Sequence, residues 1–233
     1  MESSESGTPT ELRRLCVFCG SSFGLRPEYE ASAKALGQLM ANEKIGLVYG
    51  GGTVGLMGVI AKTVFAGLGT DGVLGFIPEA LAPRELSGEM IGQLQVTDDM
   101  HTRKALMAKS ADGFIGMPGG FGTLEELLEV ITWQQLGFHK KPIGLLNTCG
   151  FFDPLLAHFK HSVEQGFVRE QHNTVIVSDD PATLLAKMRE FRPNKSLIEA
   201  MSVQAVKAGP DGIDVSAGSA PTRPAAPLQD AQP

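Results

Sequence analysis

Phe114-Ile115-Gly116-Met117-Pro118-Gly119-Gly120-Phe121-Gly122-Thr123-Leu124-Glu125-Glu126 is the stretch on which the reading of this chain turns. Four apolar residues run into a glycine-rich turn and then into an amphipathic helix, the pattern of strand, tight turn and helix. Backbone N–H groups exposed at such a helix start suit a phosphate or a ribose. The carboxylate of Glu126 is out of place beside a bound anion, which would repel it. Its presence points to work on a nearby sugar carbon or hydroxyl rather than to simple storage of a nucleotide. A plainer reading stands beside this one. Thr123-Leu124-Glu125-Glu126 fits the capping box T-x-x-E, in which Glu126 bonds back to the Thr123 backbone N–H, and acidic residues suit a first helical turn in any case. From this stretch alone cap and catalyst both stay open. Further along, Leu124, Leu127, Leu128 and Ile131 are the expected buried stripe, with Glu125 and Glu129 on the wetter side.

The same rhythm repeats outward in both directions. Strands are expected over 15–19, 45–49, 73–77, 94–97, 112–117, 143–147 and 174–178, with helices over 27–42, 54–67, 100–109, 123–136, 154–166 and 181–191. Pro27 and Pro181 suit first helical turns, and Gly67 and Gly166 suit helix stops. The alternation predicts an α/β fold, a Rossmann-like three-layer sandwich with a mostly parallel central sheet. Residues 1–13 read as a disordered N-terminal segment and 14–192 as a Rossmann-like nucleotide-binding catalytic domain. Residues 193–233 read as a Pro/Ala-rich, mostly disordered tail, because so few large apolar side chains cannot offset the entropy of ordering.

Composition narrows the class. With 233 residues, 42% of them hydrophobic, the chain suffices for one sizeable core. No apolar run approaches the length of a membrane span, and the polar, acidic residues 1–10 do not resemble a signal peptide. A net charge of −6 and a pI near 5.4 argue against nucleic acid as the partner. Three cysteines form no disulfide framework and fit a cytoplasmic protein. Cys16-Val17-Phe18-Cys19 is formally C-x-x-C, yet alternation along a strand sends its two thiols to opposite faces.

Two more glycine turns imitate known motifs. Gly20-Ser21-Ser22-Phe23-Gly24 matches the nucleophile elbow G-x-S-x-G. It comes too early in the strand order and lacks identifiable triad partners, so Gly20, Ser21 and Ser22 read as a turn contacting phosphate or base. Gly50-Gly51-Gly52-Thr53-Val54-Gly55 contains G-x-G-x-x-G, with Glu79 placed as a ribose-binding acid. The dinucleotide fingerprint belongs on the first strand of its unit and this one follows the second. Gly51 and Gly52 therefore read as a tight turn or a mononucleotide contact. Asp99-Met100-His101-Thr102-Arg103-Lys104 opens a helix at the carboxyl edge of the sheet, where ligands bind in open α/β folds. Arg103 and Lys104 point in different directions from that helix. The polar cluster at 83–89 lies on a long connection at the same edge. His158 and His161 are three apart on a helix without an acidic or cysteine companion, and read as ordinary surface residues; no metal site is expected. Trp133 and Phe138 suit a dimer face or the core.

Pro118-Gly119-Gly120-x-Gly122-Thr123-x-x-Glu126 stands with Met100-His101-x-Arg103-Lys104 and Tyr49-Gly50-Gly51-Gly52-x-x-Gly55-Leu56-Met57-Gly58. Together these blocks resemble the LONELY GUY (LOG) family of cytokinin riboside 5′-monophosphate phosphoribohydrolases, and the resemblance continues through Leu127-Leu128-Glu129-Val130-Ile131-Thr132-Trp133 to Lys141-Pro142. It implies a Rossmann-like homodimer without a redox cofactor, with cytokinin nucleotide as its small-molecule substrate. The implied reaction cleaves the N-glycosidic bond of N6-substituted adenosine monophosphate to free cytokinin base and ribose 5-phosphate. The resemblance makes Arg103 and Glu126 the catalytic pair. It places Glu85, Arg103, Lys104, Gly120, Phe121, Gly122, Thr123, Glu125, Glu126 and Thr132 against the nucleotide; Gly119 joins them from the turn itself. Two rival functions share these residues: hydrolysis of AMP or other nucleoside monophosphates, and a non-catalytic nucleotide sensor or carrier. An older label in this family, lysine decarboxylase, needs a lysine bound to pyridoxal phosphate, and no residue pattern marks one.

Overall fold

The computed structural model describes residues 10–81, 90–172 and 174–193. Glu85 with the whole of the 83–89 cluster, and all but the first residue of the expected tail, lie outside them. Seven strands form one sheet: β1 (Arg14–Phe18), β2 (Gly46–Tyr49), β3 (Val73–Pro78), β4 (Gln93–Thr97), β5 (Gly113–Gly116), β6 (Ile143–Leu146) and β7 (Ile176–Ser178). All pairings are parallel, in the order β4-β3-β2-β1-β5-β6-β7. Among the described residues six α-helices accompany them: α1 (Pro27–Asn42), α2 (Gly55–Leu68), α3 (Met100–Ser110), α4 (Phe121–Leu136), α5 (Asp153–Glu164) and α6 (Pro181–Glu190).

Alternation along the strands divides the core between the two faces. Leu15, Val17 and Cys19 point to one side with Leu36 and Met40 of α1, Ile60 and Val64 of α2, and Leu184 and Met188 of α6. Cys16 and Phe18 point to the other with Met107 of α3, Leu127 and Val130 of α4, and Leu155 and Leu156 of α5. The two C-x-x-C thiols thus lie on opposite faces, both buried. Parallel crossovers are right-handed. Strands β1 to β4 step one way across the sheet and β5 to β7 step the other, so their helices cover opposite faces. The reversal falls between β1 and β5, and the loops leaving these two strands diverge there to leave a crevice.

Several local expectations are corrected. Helix α4 starts at Phe121, not Thr123, with Gly120 as an N-cap that supplies no side-chain hydrogen bond. Its buried stripe is Thr123, Leu127 and Val130, while Leu128 is 42% exposed. Helix α2 ends on Gly69, whose φ of 70° suits glycine; Gly67 instead lies inside the helix, where a Cβ would come 2.5 Å from the Ala41 Cβ of α1. Thr10 to Arg13, assigned to the N-terminal segment, are tied to the domain. The Thr10 amide donates to the Arg189 carbonyl at 3.0 Å, Leu12 is buried, and the Arg13 amide donates to Asp112 at 2.9 Å.

Candidate active site

Construction of the site begins at Asp99, which caps α3: its Oδ1 accepts from the Thr102 amide at 2.7 Å and its Oδ2 from the Thr102 hydroxyl at 2.9 Å. These bonds favour the ionised carboxylate and hold the Asp99 pKa below the usual range. The cap fixes the first turn of α3, and with it the place from which Arg103 and Lys104 leave the helix. Both side chains are buried. Arg103 Nε donates to the Phe76 carbonyl at 3.0 Å, and its Nη1 donates to Glu126 Oε1 at 2.6 Å. Lys104 Nζ donates to Glu125 and, at 3.0 Å, to Glu129. Two adjacent cations of α3 thus grip three carboxylates of α4.

Glu126 therefore does not close a capping box. Because α4 begins two residues earlier than its sequence suggests, Thr123 is already helical and Glu126 turns inward to Arg103. Burial pushes its carboxyl above the ordinary glutamate range, although the charge and hydrogen bonding of Arg103 pull the other way. Lys104 experiences the reverse balance: desolvation opposes its ammonium, but hydrogen bonds to Glu125 and Glu129 and their charges outweigh it, so its pKa is raised. The Cys19 thiol is pushed up by burial and then by Glu126, which leaves it protonated and a poor nucleophile.

The pair opens into a cavity of about 300 Å³ in the crevice between the β1 and β5 loops. Cys19, Gly20 and Ser21 line it from one loop, and Gly120, Phe121, Gly122, Thr123, Glu125 and Glu126 from the other. Met57, Leu81 and Met100 add an apolar wall, and Phe121 stands 92% exposed beside it. Nothing lies within 4 Å of where a Cβ would sit on Gly120 or Gly122, so the start of α4 is open at both positions. The loops are stitched together by the Gly20 amide, which donates to the Pro118 carbonyl at 3.0 Å.

The second glycine turn does other work. The Leu56 and Met57 amides at the start of α2 donate to the Gly20 carbonyl at 3.1 and 3.3 Å. Gly51 packs against Ile77 and Leu94, and a side chain on Gly55 would overlap the Ser21–Ser22 backbone. This turn is a brace for the first loop, and its helix N-terminus is already filled. The elbow reading of Ser22 fails too, since no described histidine lines the cavity.

Gly20, Ser21, Arg103, Gly120, Phe121, Gly122, Thr123, Glu125 and Glu126 are thus brought together, while Ser22, Gly51, Gly52, Lys104 and Gly119 stand behind them. Thr132 lies apart. Its hydroxyl donates to the Leu128 carbonyl at 2.7 Å, and it lines a separate groove with Leu128, Ile131 and residues of α5. His158 also lines that groove, and among the described residues no group of acidic, histidine and cysteine side chains is arranged to hold a metal ion. Sequence reasoning missed Met57 and Met100 as wall residues although both sit in first turns at the carboxyl edge; Cys19 and Leu81 carried no signal.

A glycine turn opening a helix beside a guanidinium-held carboxylate, at the switch point of a doubly wound parallel sheet, defines a Rossmann-type α/β protein. A family model described as "Possible lysine decarboxylase" matches residues 57–188. The chain is 49% identical over 187 residues, covering 80% of it and 85% of the relative, to a cytokinin riboside 5′-monophosphate phosphoribohydrolase of Arabidopsis thaliana (LOG7). It is 52% identical over 179 residues, covering 76% and 79%, to a probable enzyme of the same name from rice, Oryza sativa subsp. japonica (LOGL1). The chain belongs to this LONELY GUY family. Among solved structures it resembles the molybdenum cofactor carrier protein of Chlamydomonas reinhardtii with a TM-score of 0.57, 23% identity, and coverage of 77% and 97%. That likeness is one of fold.

Proposed function

We propose that this protein hydrolyses the N-glycosidic bond of cytokinin riboside 5′-monophosphates, releasing free cytokinin base and ribose 5-phosphate. The carrying observation is the buried Arg103–Glu126 pair at 2.6 Å, set where a nucleotide held by the α4 amides would present its sugar. The names of the relatives support the same reading. Glycosidic cleavage passes through an oxocarbenium-like state, which a nearby carboxylate stabilises and whose attacking water it deprotonates. Glu126 takes that role, and its raised pKa makes it a stronger base than an exposed glutamate. Arg103 orients Glu126 and keeps it ionised.

Gly120, Phe121, Gly122 and Thr123 hold the 5′-phosphate through backbone amides, with Gly20 and Ser21 opposite and Met57, Leu81 and Met100 against the base. Ser22, Gly51, Gly52, Lys104, Gly119 and Glu125 support this cradle, and Glu85 contacts the nucleotide from outside the described residues. The reaction moves no electrons, so no redox cofactor is required, and Lys104, bound between two carboxylates, is unsuited to carry pyridoxal phosphate. The protein works in the cytoplasm as a homodimer without nucleic acid. Its apolar α4–α5 groove contains Thr132, which in one chain lies away from the cavity; contact of Thr132 with a nucleotide therefore calls for a second copy. Sedimentation of the purified protein checks the dimer, and a monomer would remove that role from Thr132.

The test is a chromatographic assay of isopentenyladenosine monophosphate, AMP and isopentenyladenosine. Free base from the N6-substituted monophosphate is expected. Cleavage mainly of AMP keeps the chemistry and changes the substrate, and tight binding without cleavage replaces the enzyme by a nucleotide sensor or carrier.

A further inference from the structure

Gly50-Gly51-Gly52-Thr53-Val54-Gly55 braces the first loop, but bracing does not explain why it begins with glycine. Gly51 and Gly55 have φ values of 79° and 59°, which side chains disfavour. Gly50 is not among the residues with positive φ, so its own backbone would accept alanine. What forbids a side chain is another residue. A Cβ on Gly50 would overlap Arg103 Nη2 and come within 3.4 Å of Met57 Sδ.

The guanidinium is rigid and planar, so its nitrogens cannot move independently. Nε is fixed on the Phe76 carbonyl at 3.0 Å and Nη1 on Glu126 at 2.6 Å, which leaves Nη2 lying over Gly50. We infer that Gly50 is a positioning residue: its missing side chain is the seat of Arg103 Nη2 and sets where Nη1 meets Glu126. This rests on the reading in which that pair performs the chemistry. A methyl group there lifts the guanidinium off the end of β2, and either the Phe76 bond or the Glu126 bond is lost.

The experiment compares wild type, G50A, R103K and G50A/R103K, since a lysine at 103 has no Nη2 to collide. Turnover of isopentenyladenosine monophosphate is followed against pH, and the titration of the Glu126 carboxyl is followed by carbon NMR, assigned by its loss in E126Q. The groups facing Glu126 are Arg103 and Lys104 from α3, Glu125 on its own helix, the Cys16 thiol from β1 and the Cys19 thiol just after it. Only Arg103 is displaced by G50A. G50A is expected to lower kcat about 10–100-fold with little change in KM, and to raise the Glu126 titration midpoint. In the R103K background the same change has little effect on either.

Unchanged turnover and titration in G50A overturn the inference. So does an equal loss in both backgrounds with the titration unmoved, which would mark Gly50 as a packing residue only. If G50A does not fold, recovery of folding in G50A/R103K supports the inference and failure in both sinks it. A wild type that cleaves no nucleotide, while G50A still moves the Glu126 titration, disposes of the proposed function and leaves the positioning role standing.

Discussion

Glu126 owes its chemical character to a balance between its burial and the guanidinium beside it. Burial raises its pKa and Arg103 opposes that rise without cancelling it. A base of this kind fails on the acid side at a higher pH than a free glutamate would. The acid limb of kcat/KM is accordingly expected above the ordinary glutamate pKa of about 4.3. An acid limb at or below that value would show that burial does not govern the group in solution. Glu126→Gln keeps the shape and removes the base, so turnover should fall about 1,000-fold or more while the fold persists. Circular dichroism and the steady-state rate check both halves, and substantial residual activity would reduce Glu126 to a structural partner of Arg103.

Helices α3 and α4 are joined by a double clamp, Arg103 to Glu126 and Lys104 to Glu125 and Glu129. Lys104→Met keeps the stem and removes the charge, leaving two carboxylates of α4 facing each other unneutralised. A loss of about 1–2 kcal/mol in unfolding free energy is expected, because Glu125 is half exposed and solvent screens its share. A denaturant midpoint equal to wild type would reduce the clamp to a surface contact. The strands and helices among the described residues are legible in hydrophobic alternation, which follows from local steric and solvation preferences, whereas the Gly67 helix stop is not borne out. Nor is the start of α4. The capping box is a local pattern, whereas the position of the first turn is set by packing: a side chain on Gly116 would overlap Leu127, and one on Gly119 would overlap Thr123. The Arg103–Glu126 pair was suggested by resemblance, since its partners are separated by 23 positions and no spacing rule connects them. Thr132 enters the site by resemblance alone; seven positions after Glu125, it stands two turns farther along α4, where it lines the α4–α5 groove.

At the scale of the molecule, protonation couples to stability through His139. Its Nε2 approaches the Val130 carbonyl at 2.9 Å and its Nδ1 the Lys141 amide at 3.2 Å, a pairing that suits the neutral ring with its proton on Nε2. Burial lowers its pKa to about 4, with the charge of Lys141 acting the same way and the Val130 bond opposing it. The unfolded chain therefore binds this proton near pH 6.5 and the folded one only near pH 4, so this contribution is present above the window and lost as pH falls through it. Glu126 acts with the opposite sign, since its raised pKa favours the folded state when protonated and is a cost as pH rises. Melting temperature should decline on acidification through the His139 window, and His139→Gln should flatten that decline; an unchanged slope would place the proton elsewhere. A last consequence comes from the Gly20 carbonyl seated on the first amides of α2. Of the glycine turns described at this edge of the sheet, the one before α2 already spends its first amides on the protein's own backbone. On the proposed function, a nucleoside monophosphate would be seated at the α4 turn, while the second phosphate of a dinucleotide would meet a place the protein has already taken for itself.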